Sequence, residues 1–176
     1  MNSVTFPAGI ILERLNRTHR RGDFQSGESL VDDWLVTKAS QHQEKRLSVT
    51  QVLVDSRNQR VVGFYTLATG QVDFAELPDD IARRLPHRQL PVAVLAWLGV
   101  DRNHQSQSLG RRLLSQALRD CHEAGKTFPF VAVILDCLND SVKAFYLRWD
   151  FAEMPGKSYR LYLSGQRLEE MMRRET

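Results

Sequence analysis

Apolar and polar positions divide the chain into short strand-like and helix-like runs. Residues 9–15 read as a first strand, after an N-terminal stretch, residues 1–7, with no strong pattern. Residues 24–35 predict the opening of a helix. Ser26 or Ser29 is placed to cap it, acidic residues fill its first turn, and Leu30, Trp34 and Lys38 trace one face. Core packing is expected for Leu30 and Trp34. Residues 49–54 and 61–71 are β-rich and joined by the polar turn 55–60, the pattern of an antiparallel hairpin. An insertion at 73–90 holds a short helical segment, 79–85, which Pro78 opens and Pro86 stops.

The run 92–100, apolar apart from Gly99, reads as a strand buried on both faces. A polar loop, 101–110, leads from it into an amphipathic helix. There Leu113, Leu114, Ala117, Leu118 and Cys121 recur at helical spacing, while Arg112, Gln116 and Arg119 fall elsewhere. Gly125 is placed as the C-cap. A second apolar strand, 130–136, must run parallel to the first because a helix crosses between them. Asn139 is a natural N-cap with Asp140 in the first turn, and Tyr146, seven residues on, shares its face. Val142, Phe145 and Trp149 form an adjoining stripe that can bury itself. A return at 150–153, a strand at 158–163 and a helix at 166–174 with a basic end complete an α/β pattern.

Composition adds limits. A chain of 176 residues suits one domain, 1–176, with a sizeable core. With 42% hydrophobic and 26% charged residues it has the balance of a soluble globule. No run is long enough to span a bilayer and the N-terminus lacks a signal-peptide core, so a cytoplasmic protein that does not engage the membrane is expected. Cys121 and Cys137 lie in apolar surroundings with no CxxC or His/Cys cluster, which points to reduced core thiols and no metal. The net charge of +3 suits an anionic ligand and permits nucleic acid. Arg83, Arg84, His87 and Arg88 make the insertion basic, either as a solvated face or as a rim for RNA phosphate.

The strand–loop–helix at 92–125 carries candidate chemistry. The first N–H groups of such a helix have no partner within it, and with the helix dipole behind them they favour phosphate. The alternative is a core strand, a surface loop and a helix without a ligand. The two parallel strands are expected to part at their carboxyl ends, where ligands enter open α/β sheets.

The loop Gln105-Ser-Gln-Ser-Leu-Gly110 resembles a motif of the GNAT superfamily of N-acetyltransferases: Gln or Arg, two variable residues, Gly, a variable residue, then Gly or Ala. Ser108 stands where Gly is usual, and a positive φ there would strain it. Downstream, Asn139, Lys143-Ala144-Phe145-Tyr146 and Trp149-Asp150-Phe151 resemble the family's next helix, with Asp150 at another usual glycine. Residues 24–35, the strand Val61-Val-Gly-Phe-Tyr-Thr-Leu67 and the proline-bearing insertion are similar to one branch, the toxin acetyltransferases of type II toxin–antitoxin modules. The chain departs from that branch at Leu95-Ala96-Trp97-Leu98-Gly99-Val100. Trp97 occupies the place of a usual Arg and exchanges a charge for a stacking surface. The resemblance spans roughly residues 24–163.

The resemblance implies a GNAT-like mixed sheet, mostly antiparallel, with a central parallel pair splayed into a cleft and helices on both faces. It implies acetyl-CoA as cosubstrate. The backbone of Leu98, Gly99 and Val100 would pair with the pantetheine arm. Gln105, Ser106, Gln107, Ser108, Leu109 and Gly110 would hold the pyrophosphate, with Arg111, Arg102 and Asn139 beside the cofactor. Tyr146 would protonate the departing thiolate, and an N–H near Val100 would polarise the thioester carbonyl. No general base stands out. Arg83, Arg88 and Trp97 are the candidates on the acceptor side. The toxin branch implies acetylation of the α-amino group of aminoacyl-tRNA, a block of translation, and a ribbon–helix–helix antitoxin as partner. Two other readings stay open: a transferase for a small amine or a protein N-terminus, and a catalytically silent module that binds acetyl-CoA or a partner. Aromatics and the long insertion leave room for a homodimer.

Overall fold

A computed structural model describes residues 4–175; residues 1–3 of the patternless N-terminal stretch lie outside them. The strands are β1 (Ile10–Arg14), β2 (Val49–Asp55), β3 (Arg60–Asp73), β4 (Gln89–Val100), β5 (Ala132–Asp136), β6 (Ala152–Met154) and β7 (Lys157–Ser164). They form one sheet in the order β1-β2-β3-β4-β5-β7-β6. The ladders β1–β2, β2–β3, β5–β7 and β6–β7 are antiparallel, and β4–β5 is parallel. This is the mixed, mostly antiparallel sheet expected. The parallel pair follows from the helix α4 (Leu109–Gly125) that connects its members. Its register sets Val92 against Ala132, Ala93 against Val133 and Val94 against Ile134, and β4 runs on to Val100.

Two compact units divide the described residues: 4–68 with 95–118, and 69–94 with 119–175. In the first, the β2–β3 turn is fixed by Asp55, which accepts from the Arg57 amide at 3.0 Å and from its guanidinium at 3.1 and 2.7 Å. These bonds hold the Asp55 carboxyl down at about 2. On β3, a Cβ at Gly63 would lie 3.0 Å from Leu113 of α4. Its neighbour Phe64 faces the other way and joins a core with Phe24, Val31 and Trp34. Helices therefore cover both faces of this unit.

The helix after Gly27 is built differently from the sequence expectation. It consists of α1 (Ser29–Asp33), a π-helical turn (Trp34–Lys38) and α2 (Ala39–Glu44). The buried row is Val31, Trp34, Leu35 and Ala39, while Leu30 is 62% exposed and Lys38 is exposed. The row begins one residue later than Leu30, and the extra residue in the π turn then carries Lys38 off the inner face and Ala39 onto it. The Ala39 amide reaches back five residues to the Trp34 carbonyl. The Arg21 guanidinium donates to the Leu35 carbonyl at 2.8 Å, which supplies a partner at the widened turn. Neither serine caps α1. Glu28 is the N-cap without a side-chain bond, and Ser26 donates its hydroxyl to Asp32 at 2.6 Å.

In the second unit, Val72, Leu90, Val92, Ala132, Ile134 and Met154 form a core on which Ile81 and Leu85 of the insertion pack. The helix α3 (Asp79–Ala82) is shorter than expected, and Arg84 turns the chain with φ +73°. The helices α5 (Asp140–Leu147) and α6 (Gly165–Arg174) complete it; Ser164 caps α6 by accepting from the Arg167 amide at 3.0 Å. Gly125 is not a left-handed cap. It ends α4 where a Cβ would stand 3.1 Å from the Phe130 ring, so its role is to admit that ring. Cys121 and Cys137 are buried free thiols, and burial pushes Cys121 up to about 12. Among the described residues no helix is long and apolar enough to cross a membrane.

Candidate active site

The connection from β4 to α4 is a 3-10 turn (Arg102–Gln107) followed by Ser108, rather than an irregular loop. Two side chains fasten it. Buried Asp101 accepts from the Asn103 amide at 3.0 Å through one oxygen and from the Gln25 amide at 3.1 Å through the other. The Gln105 side-chain amide donates to the carbonyls of Ser26 at 2.8 Å and Val100 at 3.0 Å. Backbone bonds from Arg102 to Gln25 at 2.8 Å and from Asp101 to Val62 at 2.9 Å complete the tie. Gln105, named from the motif as a cofactor residue, thus uses its side chain to hold the loop. Nothing in the spacing of the motif singles out Asp101. Its one visible signal is an acidic residue directly after an apolar strand.

Beyond the tie, Leu109 is fully buried and roots α4, while Ser106, Gln107, Ser108 and Arg111 are exposed. The first bond into the helix runs from the Arg112 amide to the Ser108 carbonyl at 3.3 Å. The amides of Leu109, Gly110 and Arg111 precede it, at the positive end of a helix 17 residues long. Those donors, with the exposed Arg111 guanidinium, fit a diphosphate.

Ser108 has φ +57° and ψ +26°, the left-handed region where the resembling family carries glycine. Asp150, at the second such place, has φ +66° and binds Arg167 at 2.7 Å. A non-glycine residue in this region costs roughly 1 kcal/mol. Ser108→Gly is expected to raise unfolding stability by about 0.5–1 kcal/mol, read as a higher urea midpoint at unchanged slope.

Along the end of β4, Val100 and Gly99 are buried, whereas Ala96, Trp97 and Leu98 are half-buried, so the strand is not sealed on both faces. A Cβ on Gly99 would lie 2.7 Å from Val31 and 3.1 Å from Phe64, so packing alone requires glycine there. Trp97 stacks on Trp34 with ring centroids 5.3 Å apart and planes 13° from parallel.

On α5, Asn139 caps the helix by accepting from the Val142 amide at 2.9 Å. Asp140 accepts from the Tyr159 hydroxyl at 2.6 Å. Tyr146 is the buried residue of this helix, and its ring meets Phe145 and Phe151 edge-on, at 5.1 and 5.7 Å. Val142, Phe145 and Trp149, expected as the self-burying stripe, are only half-buried, because Tyr146 takes the inner position. No described residue hydrogen-bonds the Tyr146 hydroxyl. Burial, and after it the nearby Cys137 thiol, pushes the phenol well above its ordinary value, so it stays protonated at neutral pH.

Arg83 and Arg88 are exposed on the insertion. Arg83 borders a cleft of about 600 Å³ together with Leu85, His122, Lys126, Phe130 and Glu169. Arg88 is not among the lining residues. The first unit thus brings together Trp97, Leu98, Gly99, Val100 and residues 105–111, and the second holds Arg83, Arg88, Asn139 and Tyr146.

Comparison with known proteins gives the family. Residues 12–151 match the model of the acetyltransferase (GNAT) family. A tRNA-acetylating toxin of Mycobacterium tuberculosis is 36% identical over 140 residues, which cover 80% of this chain and 82% of that protein. The structure of AtaT complexed with acetyl-methionyl-tRNAfMet superposes with a TM-score of 0.85 at 21% identity, over 93% of this chain and 99% of that one. A mutant AtaT toxin bound to acetyl-CoA and the C-terminus of the antitoxin AtaR gives 0.78 at 18% identity, over 93% and 98%. Those two likenesses are of fold. The family match over residues 12–151 and the 36% identity to a tRNA-acetylating enzyme show that this chain belongs to the GNAT acetyltransferase family.

Proposed function

We propose that the chain is a single-domain, cytoplasmic N-acetyltransferase of toxin type, which transfers the acetyl group of acetyl-CoA to the α-amino group of aminoacyl-tRNA and so blocks translation. The 36% identity to a tRNA-acetylating toxin over four-fifths of the chain supports the acceptor. The observation that carries the transferase chemistry is the α4 terminus, open to an anion and held by Asp101 and Gln105. AtaT in complex with an antitoxin C-terminus supports an antitoxin as this chain's partner.

Acetyl-CoA supplies the acetyl thioester. The amides of Leu109, Gly110 and Arg111 hold its diphosphate, and the backbone of Leu98, Gly99 and Val100 aligns its pantetheine arm. Tyr146, kept protonated by its burial, gives the phenolic proton to the departing sulfur and regains one from water. One C–N bond forms as one C–S bond breaks, and the amine releases its proton to water. Trp97 on the first unit and Arg83 and Arg88 on the second are the residues offered to the acceptor, and Asn139 sets the start of the helix that carries Tyr146.

Labelled acetyl-CoA offered with charged tRNAs, peptides and polyamines tests this reading. Label is expected in charged tRNA, together with arrest of translation in an extract. Transfer to peptides or polyamines alone would move the chain to the small-amine class. Cofactor binding without any transfer would make it a silent module.

A further inference from the structure

The π turn and Trp97 are both departures from regularity, and they meet in one contact. Trp34 opens the π turn and Trp97 stacks on it at 5.3 Å. Trp34 is held by its surroundings. The Trp34 indole N–H donates to the Thr66 hydroxyl at 3.2 Å, and Thr66 is bonded to Thr50 at 2.8 Å, both threonines being fully buried. His42 meets the Trp34 ring edge-on at 4.5 Å. The turn itself is held by the Ala39-to-Trp34 backbone bond and by Arg21 on the Leu35 carbonyl. A widened helical turn costs regular hydrogen bonding and is enriched at functional sites. Here it sets one indole as a rigid backing for another. Trp97 is half-buried: Trp34 covers one face of its ring, and it lies three residues before Val100 on the strand that leads into the phosphate-binding turn.

We infer that the Trp34–Trp97 stack is the specificity wall for the acceptor, and that it selects aminoacyl-tRNAs carrying a large apolar or aromatic side chain over glycyl and acidic ones. This rests on the aminoacyl-tRNA reading above. An indole face offers a broad apolar surface and a negative quadrupole, so it rewards bulk and repels a carboxylate. A pocket contact of this kind discriminates by roughly 10- to 200-fold per missing group. Trp34 acts through Trp97 and is a positioning residue.

The test uses one tRNA body mischarged in turn with phenylalanine, leucine, glycine and aspartate, with kcat/KM measured for each. The wild-type enzyme is expected to prefer phenylalanyl- and leucyl-tRNA over glycyl- and aspartyl-tRNA by at least about tenfold. Trp97→Arg is expected to erase that preference and raise aspartyl-tRNA relative to the others. Trp97→Phe should keep most of the preference and serves if the arginine variant does not fold, as judged by acetyl-CoA binding. Acetylation of all four acceptors at similar kcat/KM, or an unchanged preference in Trp97→Arg, would overturn the inference while leaving the aminoacyl-tRNA reading intact. No transfer to any charged tRNA would overturn both.

Discussion

Tyr146→Phe is expected to lower kcat by at least about tenfold while acetyl-CoA affinity stays within about twofold. The substitution keeps the ring and its edge contacts with Phe145 and Phe151, and removes only a hydroxyl that no described residue binds. Steady-state rates and titration calorimetry on the two proteins check it; equal turnover would remove Tyr146 as the acid. The pH dependence has a definite sign. Burial raises the phenol, so the proton it must supply is retained above the ordinary tyrosine value near 10. In kcat against pH, no loss from ionisation of this phenol is expected below about pH 10. The same shift favours the folded state below that value, and the contribution fades as pH rises through the raised one.

Asp101→Ala is expected to destabilise the protein by about 2–4 kcal/mol, because two backbone N–H groups, those of Gln25 and Asn103, lose their acceptor. For a chain of this size that is a fall of roughly 5–15 °C in melting temperature. Acetyl-CoA binding should weaken by about tenfold in the protein that remains folded, since the amides at the start of α4 depend on the placement of this turn. Asp101→Asn, which keeps one accepting oxygen, should fall between the two. A melting temperature and an affinity equal to wild type would show that Gln105 and the backbone bonds suffice.

Much of this was legible in the sequence because periodicity records burial. The hairpin 49–71, the parallel pair flanking α4 and the Asn139 cap all appear where the pattern puts them. What the pattern lacked was any sign of a residue added to a helical turn. A row read at four-residue spacing from Leu30 passes to Lys38, whereas the π turn delivers Ala39. Gly125 misled for a related reason. A glycine at a helix end suggests a left-handed cap, but the same letter also marks a place where a ring approaches, and only the position of Phe130 tells the two apart. Around the candidate site, the strand–turn–helix and Tyr146 were visible as types of residue in order. The tie through Asp101 and Gln25 was not, since it joins residues 76 apart in the chain.

Ser108 and Asp150 carry a consequence for how relatives of this chain are recognised. At both places the backbone holds a left-handed twist without a glycine. What the fold requires there is a pair of dihedral angles, and glycine is merely the cheapest way to hold them. Homology templates that accept any short polar side chain at these two columns should therefore gather acetyltransferases that a glycine-strict template passes over.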